Sequence, residues 1–352
     1  MGLRAFGLGL AAGLALAMGL ALPEAAPAQP REINPCSFSP HDSPCEIEDG
    51  LYRALVPQNP GPHPAVVYLY GSLGRSNLIT DSRYFRREVV NRGFALIVPG
   101  ALQVDYPGGE RGTGWGRRLR RNHPRDDLDF LARVIADARK RFNIDPERVI
   151  FAGQSDGGYL IWEIACHRPD MGTAFAVHAA SYGGALPARC RRPVKFLQSH
   201  GTRDEVVPIS GEERQGPWIV SADLRDALGL LARTNGCGTD PRPGGRFHGF
   251  DRTRWDGCAD GAALDFLVHD GGHDWPLSWM PAVLDWFAEA TFVPAEAATR
   301  RVGGDRPEGF RRSAGDAGLG TDTATEATGT VAGSRFQRPA EGTRGFQSVP
   351  KP

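Results

Sequence analysis

The stretch from Arg148 to Cys166, RVIFAGQSDGGYLIWEIAC, constrains this chain more than any other. Arg148 to Ala152 is a short β-branched and aromatic run that reads as a buried strand. From Gly157 to Cys166 the pattern turns helical, with Leu160, Ile161 and Ile164 on one face. Between them lies Gly153-Gln154-Ser155-Asp156-Gly157, a G-x-S-x-G pattern. Its glycines let the chain bend sharply from strand to helix, so that the serine hydroxyl projects at the top of a sheet. The helix N-terminus beneath it favours a developing negative charge. Ser155 is therefore the candidate nucleophile. Gly is abundant (45 of 352), so the pentapeptide alone is weak evidence and needs partners. A second serine, Ser181, lies beside His178 after the apolar run Ala174 to Val177. Pro187 follows it too soon for a helix to run through, and the strand–turn–helix context is missing there.

Around this turn, apolar strand-like runs alternate with helical patterns. Leu51 to Val56, Ala65 to Tyr70, Phe94 to Val98, Ala174 to Val177, Val194 to Leu197 and Leu264 to Val268 read as strands. Helices are expected from the aspartates 126, 127 and 129 to Phe142, from Leu224 to Ala232, and from Val283 to Ala288. Acids in the first turn of the 126–142 segment suit the helix dipole. The alternation implies an α/β fold, a mostly parallel sheet with helices on both faces. Ala101 to Pro124 is Gly-rich and reads as a long loop, a kind of segment that often bears function.

Three domains follow from composition. Residues 1–28 look like a secretory signal: Arg4, an apolar stretch from Ala5 to Leu22, and the small-x-small site Ala26-Pro27-Ala28, with cleavage before Gln29. An uncleaved anchor competes with it, but the stretch is diluted by Gly and Ala, and no later stretch is long and apolar enough to span a bilayer. A catalytic domain is expected over 29–295. Residues 296–352 are rich in Gly, Thr, Ala, Arg and Pro and read as a disordered tail. The net charge is zero, so nothing points to nucleic acid. The six cysteines, at 36, 45, 166, 190, 237 and 258, include no C-x-x-C pair. An even count in an exported chain reads as disulfides, with 15 connectivities open; nearest-neighbour pairing is the expectation. The protein should be secreted or periplasmic.

A serine hydroxyl needs a base, and the base needs an orienting acid. In a parallel sheet both should come from loops at the carboxyl ends of strands. One such loop is Ser199-His200-Gly201-Thr202-Arg203-Asp204-Glu205, which offers Asp204 as the acid, with Glu205 as its competitor. The other is His269-Asp270-Gly271-Gly272-His273-Asp274-Trp275-Pro276, which offers His273 as the base, with His269 nearer the strand. A zinc site on His269, Asp270 and His273 is the lesser reading, so no metal or cofactor is expected. The chain order Ser155, Asp204, His273 suits this sheet type. Two amides should hold the oxyanion: Asp156, and either Ser72 or Leu73 in the loop after Ala65 to Tyr70. Trp115, Tyr159 and Trp275 are candidates to line a substrate pocket, although each could equally be core packing.

Taken in order, AVVYLYGSLG, DDLDFLARVIADARKRFNIDPERVIFAGQSDGG, HGTRDEVVP and GGHDWP resemble the α/β-hydrolase esterases of the polyhydroxybutyrate depolymerase and feruloyl or acetyl-xylan esterase type. The resemblance covers about residues 47 to 292. It implies an α/β-hydrolase fold and a secreted serine carboxylesterase without cofactor, acting on an ester substrate through Ser155, Asp204 and His273. Two departures stand out. Tyr70 occupies the place where the family usually has His, and Asp156 stands where Asn, Ala or Met is more common. A carboxylate beside an oxyanion repels it, so the Asp156 side chain must point away or be paired, for instance by an Arg. Two other readings share the fold. One is a prolyl-oligopeptidase-like peptidase, which normally carries an added propeller; the other is a non-catalytic binding protein.

Overall fold

In a computed structural model, the protein is described at residues 36, 44–106, 109–116, 123–213 and 220–291. The signal-like segment and the C-terminal tail lie outside these residues. The chain opens with β1 (Cys45–Ile47), β2 (Gly50–Leu55) and β3 (His63–Leu69), then two short helices, α1 (Ser76–Asp81) and α2 (Arg83–Glu88). Next come β4 (Ala95–Pro99), β5 (Leu102–Asp105), β6 (Arg111–Gly114) and α3 (Asp127–Phe142). The segment around Ser155 is β7 (Ile144–Gln154) followed by α4 (Asp156–His167). After it run β8 (Ala174–His178), β9 (Lys195–Gly201), β10 (Glu212–Glu213), β11 (Val220–Ser221) and α5 (Leu224–Asn235). The last elements are β12 (Arg242–Phe247), β13 (Phe250–Trp255), β14 (Ala263–His269) and α6 (Trp279–Thr291).

Ten strands form one sheet in the order β1-β2-β4-β3-β7-β8-β9-β14-β13-β12. The six from β4 to β14 are mutually parallel, and antiparallel strands flank them on both sides. Every residue of β4 and of β8 is buried, as expected where helices cover both faces. This strand order and direction define an α/β-hydrolase fold. From β3 the chain steps outward to β4 and then returns to pair β7 on the other side. A reversal of this kind leaves a crevice outside the carboxyl ends of β3 and β7.

The helix α4 is buried along its length except at His167, as suits a helix that is apolar nearly all round. Burying Leu160, Ile161 and Ile164 is worth about 1.5–3 kcal/mol each. A disulfide from Cys166, near its C-terminal end, to Cys190 anchors it; the others join Cys36 to Cys45 and Cys237 to Cys258. Among the described residues, no helix is long and apolar enough to cross a membrane.

Two expectations need correcting. The segment 101–124 is not structureless: β5 and β6 pair as a hairpin within it. Nor does the 224–264 stretch pass directly from helix to strand, because the hairpin of β12 and β13 intervenes and pairs with β14. That hairpin lacks an apolar alternation because β12 is a largely exposed edge. Its two buried residues are Phe250 and a charged one, Arg252, which is bonded to Asp265 and at 2.8 Å to Glu289.

Candidate active site

Ser155 caps α4 with φ 52° and ψ −122°. A left-handed φ is rare outside glycine, costs about 1–3 kcal/mol, and persists where the surroundings enforce it. Here they do. The Ser155 amide donates to His178 O at 3.1 Å, and Tyr159 N–H closes the first helical turn onto Ser155 O at 2.9 Å. The flanking glycines are needed for close approach: a Cβ at Gly153 would lie 2.5 Å, and one at Gly157 2.1 Å, from Leu69 O at the end of β3. Gly71 lies over the serine, so that a Cβ there would come within 3.8 Å of its Oγ. Ser155 itself remains partly exposed.

Asp204 and His273 meet across the loops that follow β9 and β14. His273 Nδ1 is 2.9 Å from Asp204 Oδ2 and 3.1 Å from Oδ1. The two loops are joined by backbone bonds from Thr202 N to His269 O (2.9 Å) and from Arg203 N to Gly271 O (2.8 Å). Gly201 permits this contact, since a Cβ there would sit 2.2 Å from Gly272 O. Asp204 is buried and takes further bonds from the Val206 and Val207 amides at 2.9 and 2.8 Å. Burial alone would raise its carboxyl; the bonds from His200, His273 and the Val207 amide outweigh it and hold Asp204 well below the usual carboxylate range. An ionised carboxylate only accepts, so the proton on His273 belongs on Nδ1 and Nε2 carries a lone pair. Gln154, next to Ser155, donates to the His273 carbonyl at 3.4 Å.

His200 is a partner of Asp204 that sequence reasoning left without a role. Its Nε2 lies 2.7 Å from Val207 O and 3.2 Å from Asp204 Oδ2. A carbonyl accepts only, so Nε2 is the protonated nitrogen and donates to both. The signal was present as the His200-Gly201 pair four residues before the acid, but the loop's curvature back onto that residue is not encoded in spacing.

The competing residues go elsewhere. Glu205 is exposed. The His269 ring stacks on His178 (centroids 5.4 Å apart) and meets Phe250 edge-on. His178 is buried, with Nδ1 3.0 Å from Ser199 Oγ, and burial together with the neighbouring imidazoles pushes it well below the usual histidine range. Ser181 is buried as well. Among the described residues, no group of three His, Cys, Asp or Glu side chains could hold a metal ion.

In the loop after β3, the Leu73 amide donates to Thr113 O at 3.0 Å and is already engaged within the protein. Asp156 is buried, and its Oδ2 accepts from the Trp115 amide at 3.0 Å. Tyr70 turns its hydroxyl to accept from the Ala101 amide at 2.8 Å, and burial pushes that phenol up to about 12.

Trp115 and Tyr159 are both buried, and the Trp115 indole N–H donates to Tyr70 O at 2.8 Å. Trp275 is half-buried, packed against Tyr84 at 5.1 Å, Phe85 at 5.9 Å and Trp279 at 6.0 Å. It anchors the His273 loop and keeps some of its surface in the open.

Residues 84–185 match the prolyl oligopeptidase family. Feruloyl esterase D of Neurospora crassa is 27% identical over 239 residues, 63% of this chain and 72% of that protein. Feruloyl esterase C of Emericella nidulans is 27% identical over 167 residues, 46% of this chain and 53% of that protein. The chain thus spans about half the length of the second relative. An acetyl xylan esterase from Aspergillus awamori has a TM-score of 0.49 at 15% identity, covering 68% of this chain and 94% of that one. The protein is an α/β-hydrolase by the order and direction of its strands. Within that class, it resembles the feruloyl esterases in sequence.

Proposed function

We propose that the protein is a serine carboxylic-ester hydrolase that works through an acyl-enzyme. Ser155 attacks the ester carbonyl while His273 Nε2 takes its proton. Asp204 holds the imidazole in the required tautomer and balances the imidazolium charge. The Ser72 and Asp156 amides receive the tetrahedral oxyanion. His273 then protonates the leaving alcohol, and a water activated by the same imidazole releases the acid. The observation that carries this reading is the 2.9 Å contact of His273 Nδ1 with a buried Asp204 carboxylate, at the same end of the sheet as a serine held at φ 52°.

Relatives named feruloyl esterase support feruloyl esters as the first substrate class to try, followed by acetyl-xylan and hydroxybutyrate esters. The three disulfides support export to the periplasm or medium after cleavage of residues 1–28. In this reading, residues 29–295 form the catalytic domain and 296–352 a tail. The prolyl oligopeptidase match favours a second reading, a peptidase using the same three residues, but its span includes the nucleophile turn and neither Asp204 nor His273.

The test compares oxidised wild type with Ser155→Ala on short-chain nitrophenyl esters and on a proline-containing peptide anilide. Ester hydrolysis by wild type and its loss by about 10⁶-fold in the variant is the expected result. Cleavage of the anilide alone would establish the peptidase. Equal activity in both proteins would remove Ser155 from the mechanism, and an inert pair would favour a binding protein.

A further inference from the structure

Asp156 places a carboxylate where its charge opposes the reaction proposed above, since a negative charge beside a developing oxyanion repels it. Its bond to the Trp115 amide shows another use for that charge. Trp115 follows β6, and the β5–β6 hairpin grips the oxyanion loop at three points. The Trp115 indole donates to Tyr70 O at 2.8 Å, Thr113 O accepts from the Leu73 amide at 3.0 Å, and Thr113 Oγ1 donates to Gly74 O. Tyr70 and Gly74 bracket Ser72. A continuous path of hydrogen bonds therefore runs from the nucleophile's turn, through the hairpin, to both sides of the Ser72 amide. Tyr106 Oη stiffens the hairpin from within by donating to Thr113 O at 2.6 Å, and Gly116 N–H ties its far side to Asp127.

We propose that the Asp156 side chain is a positioning residue, which sets the Ser72 amide against Ser155 by anchoring the β5–β6 hairpin. The inference rests on the ester-hydrolase reading. Two amides far apart in sequence must converge on one oxygen, each about 2.7–3.1 Å from it. An error of about 1 Å in such a site costs about 10²-fold in rate. A carboxylate accepting a backbone N–H makes a shorter and stronger bond than a neutral acceptor. The geometric benefit to the oxyanion hole is larger than the repulsion, because the carboxylate is turned toward Trp115.

The experiment measures kcat and KM of Asp156→Ala and Asp156→Asn on nitrophenyl acetate, per site titrated with a serine-directed phosphonate. In Asp156→Ala, kcat per site should fall about 10²-fold while KM changes less than about threefold. Asp156→Asn keeps an acceptor oxygen for the Trp115 amide and drops the charge, so its kcat should stand at least about tenfold above that of the alanine variant. A merely structural role would reduce the number of titratable sites in both variants and leave kcat per site alone. A wild-type kcat in Asp156→Ala, or an asparagine variant no better than alanine, overturns the proposal. If Asp156→Ala does not fold, Thr113→Val carries the test by removing the bond to Gly74 at constant shape. Its kcat per site should fall about tenfold, and an unchanged value overturns the proposal. Wild type inert toward every ester sinks the ester-hydrolase reading and this inference with it; active wild type with an unaffected Asp156→Ala sinks the inference alone.

Discussion

In the proposed acid–base half of the site, Asp204 and His273 sit on adjacent loops after β9 and β14, joined by backbone bonds and by a carboxylate that gathers four donors. In the proposed nucleophile half, Ser155, Asp156 and Ser72 follow β7 and β3, and what connects them is a third segment, the β5–β6 hairpin with Trp115. Both halves contain a buried aspartate. Asp204 is satisfied mostly by its own loop, which makes that half nearly self-contained. Asp156 is bonded to a segment some 40 positions earlier, so its half depends on tertiary structure elsewhere. Changes in the first half should therefore act on chemistry more than on folding, and changes in the second on both alike.

The largest expected effect tests the self-contained half. Asp204→Asn keeps the size of the side chain but favours the wrong histidine tautomer, so kcat should fall about 10⁴-fold. Steady-state kinetics together with a thermal melt would check it, and a comparable collapse in stability would break the contrast between the halves. A smaller effect is expected from Trp115→Phe in the other half. That substitution leaves Tyr70 O buried without its indole donor, at a cost of about 1–3 kcal/mol in unfolding free energy. Urea denaturation measures it, and an unchanged midpoint would show that the hairpin is not held by this bond. The smallest effect concerns acid. Because the folded Asp204 carboxyl is depressed, the stability it contributes is fully present above the unfolded value of about 3.9 and is lost as pH falls through the folded one. Wild type should lose more stability than Asp204→Asn when urea midpoints at about pH 5 and pH 3 are compared; equal losses would mean that the bonds to Asp204 do not favour its ionised form.

The same contrast explains what could be read from the sequence. The strand–Gly-x-Ser-x-Gly–helix segment, the alternation of strands and helices, and the pairing of neighbouring cysteines are local patterns, and all three appear in the structure. Asp204 and His273 follow apolar strands directly, so spacing was enough to bring both to one end of the sheet. The hairpin of β5 and β6 was hidden because half of its short strand Leu102–Asp105 faces solvent and its partner is the Gly-rich run Arg111–Gly114. The depth of Trp115 and Tyr159 was not legible, because an aromatic in a Gly-rich loop or an amphipathic turn carries no sign of its burial. The bond of Asp156 to the Trp115 amide could not be foreseen, since a backbone amide has no side-chain signature. His200 was visible only as part of a motif; its second bond depends on a turn that closes through Asp204 itself.

The role of Ser155 is tested most directly by treating the oxidised protein with a serine-directed phosphonate and mapping the adduct by peptide mass spectrometry. A single stoichiometric adduct on Ser155, absent in Ser155→Ala and suppressed in His273→Ala, is the expected result. An adduct on Ser181 or another serine, or equal labelling of wild type and Ser155→Ala, would contradict the assignment of the nucleophile.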